Sequence, residues 1–337
     1  MALKKIYNDV ESLVEEVIIG QRLMFPGGTS ETLPDNIRIS VRKPEFKKPK
    51  GLVKIAGGGG SGHEGPGGRG FEPGPGGGDV SIRGDIFVAP SAAQIFKGLC
   101  AIDDGSPIYC GVANHTGDVM NFRLAVEMAK ARGMDVTMHT NGYTDVGSAP
   151  KERAAERRGG GGFAYAGLMA ECGEPVEEII RMSIKGAMLT RSFGVGIRSA
   201  IHPVTGLPIM EMPDDMIEMG IGVHGENSGK RIPLPRSKEL ARIVCDILLD
   251  DMPVERGEEI SLGLRGLGGL AWTEIYILYK DIHEYLVGEK GIKILRVNTG
   301  NSGTQELGGF ILSITRQDDE VKKWANAKIP EGRYPSV

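Results

Sequence analysis

The sequence predicts two α/β domains with mixed sheets, and three observations carry that prediction. Short apolar runs rich in β-branched residues alternate with stretches whose apolar residues recur at helical spacing, so strands should be joined by crossover helices. The chain has 337 residues, whereas one domain usually holds about 100–200. The strongest loop signals also fall at the ends of apolar runs, which places an active site at the carboxyl ends of strands, near the domain interface.

In the first domain, expected over residues 1–192, Asn8-Asp9 offers a cap for a helix carrying Val10, Leu13, Val14, Val17 and Ile18. Strands are expected at Ile37–Val41 and Leu52–Ala56, separated by the lysine- and proline-rich turn at 43–50. Further strands are read at Asp85–Val88, Ile108–Val112 and Asp135–Met138. Helices should run from a Ser91 cap through Leu99, from Val119 to Gly133, and near Phe163–Glu171 and Pro175–Leu189. The second domain, 193–337, should hold strands at Val195–Ile201, Ile217–Val223, Ile260–Leu264, Ile292–Val297 and Phe310–Ile314. Its helices are expected near Ser237–Leu249 and Trp272–Val287.

A formal net charge of −4, with both signs interspersed, provides no basic face for nucleic acid or an anionic membrane. No apolar stretch approaches the roughly 18–20 residues of a membrane span, and the N-terminus lacks a signal-peptide core, so a cytoplasmic protein is expected. Cys100, Cys110, Cys172 and Cys245 form no Cys-x-x-Cys pair, which argues against a zinc site or disulfide framework and for buried structural thiols. No metal site is expected.

Thirteen of the 22 residues from Gly57 to Gly78 are glycine, so this stretch is a long loop following the strand at Leu52–Ala56. Gly57 to Gly62 formally fits a dinucleotide fingerprint, but Pro66, Pro73 and Pro75 follow where a helix should open to hold the pyrophosphate. The run from Gly225 to Lys230 is not a P-loop either, because His224 stands at the required first glycine and arginine follows the lysine. Three strand-end motifs remain: Gly62-His63-Glu64, Asn114-His115-Thr116-Gly117-Asp118 and Gly222-Val223-His224-Gly225-Glu226. They can bring histidines and a carboxylate together, although Asp118 also suits the cap of the helix from Val119.

These motifs, with Gly84-Asp85-Ile86-Phe87, Pro90-Ser91, Thr190-Arg191-Ser192 and Gly266-Leu267-Gly268-Gly269, resemble the substrate-binding subunit of the dihydroxyacetone kinases. The resemblance runs in order over nearly the whole chain. It implies that His224 adds to the ketone carbon of a short-chain ketose to give a covalent hemiaminal, which would exclude glycerol. It implies that Asp118 takes the proton of the attacking hydroxyl and that His63 holds that end of the substrate or shares the acid–base work. Backbone N–H groups of Gly60, Ser61 and Gly62 would grip the substrate oxygens. The resemblance further implies no cofactor on this chain. ATP or ADP with magnesium would lie on a helical partner subunit, and this chain would form a homodimer acting in glycerol metabolism.

Two departures bear on the substrate. Ala113 stands where the family has a substrate-binding lysine, and Ala89 where it has a serine. The run Ser148-Ala149-Pro150-Lys151-Glu152 is more similar to relatives acting on longer ketoses such as erythrulose. A kinase for a four-carbon ketose, or a non-catalytic ketose-binding regulator, therefore stands beside dihydroxyacetone phosphorylation.

Overall fold

The structure, a computed structural model, describes residues 5–59, 72–142, 144–147, 165–226, 228–301 and 303–335. The expected ligands Gly60, Ser61, Gly62 and His63, the segments 148–152 and 159–162, and most of the glycine-rich loop lie outside the described residues.

Two six-stranded sheets organise the chain. The first contains β1 (Ser30–Leu33), β2 (Asn36–Arg42), β3 (Lys54–Gly59), β4 (Val80–Arg83), β5 (Ile108–Ala113) and β6 (Val136–Asn141), in the spatial order β1-β2-β4-β3-β5-β6. Strands β4, β3, β5 and β6 run parallel, while β1 and β2 are antiparallel additions at one edge. Helix α1 (Leu13–Met24) precedes the sheet; α2 (Ala92–Ile102) and α3 (Thr116–Ala131) connect its parallel strands. One face packs Ile39, Ile82, Ile108 and Val112 against Ile95, Leu99, Phe122 and Val126 of these helices. Burying each such side chain contributes about 1.5–3 kcal/mol.

The other face is covered by α4 (Ala166–Glu171) and α5 (Val176–Met188), with Val53 and Tyr109 packed on Met169, Ile179 and Met182. The second sheet follows, built from β7 (Thr190–Arg198), β8 (Met216–Met219), β9 (Arg231–Pro233), β10 (Glu259–Gly266), β11 (Lys293–Asn301) and β12 (Gly308–Arg316), in the order β11-β10-β12-β7-β8-β9. Only the β10–β11 pairing is parallel, so this sheet too is mixed. Helices α6 (Ser237–Asp251) and α7 (Trp272–His283) cover it with Leu240, Val244, Leu248, Ile275 and Ile282. A π-helical turn, Glu284–Glu289, continues α7.

β7 begins at Thr190 and spans the division expected at 192/193. Several other expectations require correction. The last helix, α8 (Asp319–Asn326), was not foreseen; it returns Val321 and Trp324 to the layer under the first sheet, beside Tyr109 and Ile179. The C-terminal Tyr334 continues that return by donating to Glu171, a fully buried carboxylate that also holds Arg42 at 2.8 Å. The strand expected at Asp85–Val88 is a turn, and the paired strand lies earlier, at β4. Helix α1 starts at Leu13 after Ser12, not after Asn8-Asp9. Among the thiols Cys110 and Cys245 are buried as expected, but Cys172 is exposed.

Candidate functional site

The site forms where loops from both sheets meet, around a cavity of about 580 Å³. That volume suits a small-molecule ligand. The first sheet supplies Phe87, Ala89 and His115 to Asp118; the second supplies His202, Thr205, residues 207–209, His224 and Glu226.

Asp118 owes its place to the β5–α3 connection. The helix begins at Thr116 with His115 at its cap position, so Asp118 lies in the first turn and is not the cap. Its acidic side chain suits the positive end of the helix dipole. It is 7% exposed, and its Oδ1 has no hydrogen-bond partner among the described residues. Burial raises its pKa to about 6. A carboxylate that is buried, partnerless at one oxygen among the described residues and half-ionised near pH 6 is suited to taking a proton from a ligand at neutral pH.

The glycine run reaches Asp118 because β3 and β5 are adjacent parallel strands whose carboxyl ends lie side by side. A Cβ built on Gly59, the last residue of β3, would stand 3.8 Å from Asp118 Oδ1. One residue earlier, at Gly58, a side chain would collide with the Ile82 backbone on β4. Gly58 is thus required by close strand packing, and β3 ends beside the buried carboxylate.

Across the cavity, His224 sits in a turn closed by Gly222 N–H donating to Glu226 O at 2.9 Å and Gly225 N–H donating to Gly222 O at 3.1 Å. Gly225 has φ +84°, a conformation in which a side chain would be strained. The Thr304 hydroxyl donates to the Val223 carbonyl and pins the turn to the loop after β11. On the other side Glu218, 1% exposed, accepts from Ser228 N at 2.9 Å, Gly229 N at 2.7 Å and Arg231 Nε at 2.9 Å. Burial alone would raise the Glu218 pKa, but the Arg231 and Ser228 hydrogen bonds outweigh it and lower the pKa.

Glu226 serves this turn twice. Its Oε2 accepts from the His224 backbone N–H at 2.9 Å, and its Oε1 lies 3.3 Å from His224 Nδ1 and 4.0 Å from His115 Nδ1. The two imidazole rings are neighbours, with centroids 4.7 Å apart. Phe87 stands edge-on to His224 at 6.0 Å and also meets His202 at 5.3 Å. It holds φ +59°, unusual for a bulky residue, in a turn where a side chain on Gly84 would collide with the Val88 and Ala89 backbone.

The Dak1 domain pattern matches residues 29–331. The chain belongs to the Dak1 family. It is 32% identical over 331 residues to the dihydroxyacetone-binding subunit DhaK of PTS-dependent dihydroxyacetone kinase 2 from Listeria innocua, spanning 95% of this chain and 96% of that one. It is 31% identical to L-erythrulose 1-kinase of Mycolicibacterium smegmatis, covering 98% of this chain but 57% of that protein. Among solved structures, the dihydroxyacetone kinase of C. freundii superposes with a TM-score of 0.83 at 25% identity, over 99% of this chain and 61% of that one.

Of the residues singled out in the sequence, Asp118 and His224 line one cavity as Dak1-family loops, whereas Gly60, Ser61, Gly62 and His63 lie outside the described residues. The sequence reading assigned no role to His115, Glu226, His202 or Phe87. His115 and Glu226 lay within motifs already marked, so their place in a charged motif was an available signal. Phe87 closed the quoted motif Gly84-Asp85-Ile86-Phe87 but was read as part of a strand, and His202 carried no signal, since its approach to Phe87 depends on a loop from each sheet. Ala89, at the position of the family's serine, would meet a Cβ on Gly117 at 3.3 Å, so this wall of the cavity is tightly packed.

Proposed function

We propose that this chain captures a short-chain ketose on His224 and presents its terminal hydroxyl for phosphorylation, with dihydroxyacetone as the first substrate. The observation that carries this reading is the pairing, in one cavity, of a histidine held by a carboxylate with a buried Asp118 poised near neutrality.

Glu226 beside Nδ1 favours the tautomer with its proton on that nitrogen, leaving the lone pair on Nε2. Nε2 adds to the ketone carbon, the carbonyl π pair moves to oxygen, and that oxygen takes a proton from solvent. Glu226 accepts the Nδ1 proton, so the product is a neutral hemiaminal. The reaction needs a carbonyl, and glycerol lacks one. Asp118 then takes the proton of the terminal hydroxyl as its oxygen attacks phosphorus, and the nucleotide donor with magnesium would be held by a helical partner subunit. His63 and the N–H groups of Gly60, Ser61 and Gly62 complete the substrate's grip in this reading, and the chain acts as a homodimer.

A four-carbon ketose is the second reading. The likeness to an L-erythrulose kinase and Ala113 in place of a lysine both favour it. The deciding experiment offers dihydroxyacetone and erythrulose separately and follows intact mass, then phosphorylation with a nucleotide-bearing helical subunit. A covalent adduct on wild type that is absent from His224→Ala supports capture. A bound ketose with no bond to His224 sinks it, and an adduct that no donor subunit phosphorylates replaces the kinase with a ketose-binding regulator.

A further inference from the structure

A second chemistry is present at the same turn. One nitrogen of His115, one of His224 and a Glu226 carboxylate oxygen all lie within 4.8 Å of one another. We propose that these three side chains form a binding site for a divalent transition-metal ion of the zinc class. Two imidazoles and one carboxylate are the donors that zinc, cobalt and nickel take, whereas magnesium prefers an all-oxygen shell. Three protein ligands leave the fourth position of a tetrahedral ion open toward the cavity.

The dimensions are close to those required. In a tetrahedral shell with bonds of about 2.0–2.2 Å, two ligand atoms stand about 3.3–3.6 Å apart. Glu226 Oε1 already stands at that distance from His224 Nδ1, at 3.3 Å, and lies 4.0 Å from His115 Nδ1. The widest pair, within 4.8 Å, has to close by up to about 1.5 Å, which rotation of the His115 ring and of the 40% exposed Glu226 side chain supplies. Its carboxylate and the nearby Asp118 offset the charge of a dication.

The site has a functional consequence that rests on the ketose-capture reading. A neutral imidazole has one nitrogen lone pair. A metal on Nδ1 of His224 takes that pair and leaves the proton on Nε2, which then has no pair to offer a carbonyl carbon. Metal occupancy therefore slows capture and acts as a brake on the nucleophile.

The test adds Co²⁺ to the full chain and follows its visible absorption and its displacement by Zn²⁺. Wild type should bind one ion per chain, and His115→Asn and Glu226→Gln should each weaken binding by at least about tenfold. His115→Gln serves as a second variant should His115→Asn unfold. No cobalt binding by wild type, or equal affinity in folded variants of both positions, overturns the site. Preincubation with Zn²⁺ should also slow formation of the dihydroxyacetone adduct. Metal that binds without slowing it removes the brake while the site stands. Metal-free protein that binds the ion yet forms no adduct instead overturns the capture reading.

Discussion

Glu226 holds His224 at two points, accepting its backbone N–H at 2.9 Å through Oε2 while Oε1 lies 3.3 Å from Nδ1. A single carboxylate two residues along the turn thus meets both the backbone and the ring of His224, and in the capture reading it fixes which ring nitrogen bears the proton. Glu226→Gln is expected to weaken the ketose adduct roughly 10- to 100-fold, the worth of a hydrogen bond to a charged group. Titrating dihydroxyacetone against the fraction of modified protein by intact mass measures it; an unchanged midpoint would remove Glu226 from the mechanism.

Gly222 is needed for that arrangement because a Cβ there would collide with the Glu226 carboxylate. Gly222→Ala should therefore reproduce the Glu226→Gln defect in a folded protein, although it replaces no ionisable group. The same adduct titration checks this, with far-UV circular dichroism to confirm the fold. Full adduct formation in Gly222→Ala would show that Glu226 can leave His224 without consequence.

Asp118→Asn should retain the adduct but lose about 10²–10⁴-fold in phosphoryl transfer, the range for removal of a general base. The same substitution should raise stability. The folded pKa is about 6, above the ordinary 3.8, so between these values the folded state binds more protons than the unfolded one and stability falls as pH rises. Above pH 6 the full penalty, at most about 3 kcal/mol, is present. Thermal unfolding at pH 7 should show a higher midpoint for Asp118→Asn and little difference at pH 4.

The pH dependence of activity follows from the same carboxyl. Below about pH 6 Asp118 is protonated and cannot take the hydroxyl proton, so kcat in wild type should fall on the acid side with a midpoint near 6. Steady-state rates in the reconstituted kinase from pH 5 to 8 test this. A flat profile through pH 6 would assign the base elsewhere.

Away from the cavity, Arg42 and Glu171 are 2% and 0% exposed at the side chain and paired at 2.8 Å, with Asp79, Lys48 and Tyr334 joining the cluster. Removing one partner strands a buried charge, so Glu171→Ala should cost about 3–5 kcal/mol. Denaturant unfolding measures it. A loss below about 1 kcal/mol, the value of a surface pair, would mean the cluster is hydrated.

Most of the strand and helix order, the mixed α/β class and the loops at Asp118 and His224 were legible in the sequence because each rests on a local signal: periodicity 2 or 3.6, a capping Ser91, a histidine motif after an apolar strand. The shifted elements failed for local reasons too. Asp85-Ile86-Phe87-Val88 has the composition of a strand, yet Gly84 and the positive φ of Phe87 turn it away from the sheet. α8 has only a short apolar stripe, and its value lies in completing a layer formed some 140 residues earlier.

The sequence by itself determined the membership, the two sheets and the nomination of Asp118 and His224. Tertiary structure decided what those residues can do. The raised pKa of Asp118 comes from the protein packed around its carboxyl, and the Nδ1 of His224 faces a carboxylate placed by a turn. The neighbouring His115 arrives from the other sheet. Desolvation and the approach of charges depend on distances in space, and no periodicity along the chain records them. The glycine run, for its part, gained a physical reason at Gly58, which is bare because the Ile82 backbone of β4 stands against it.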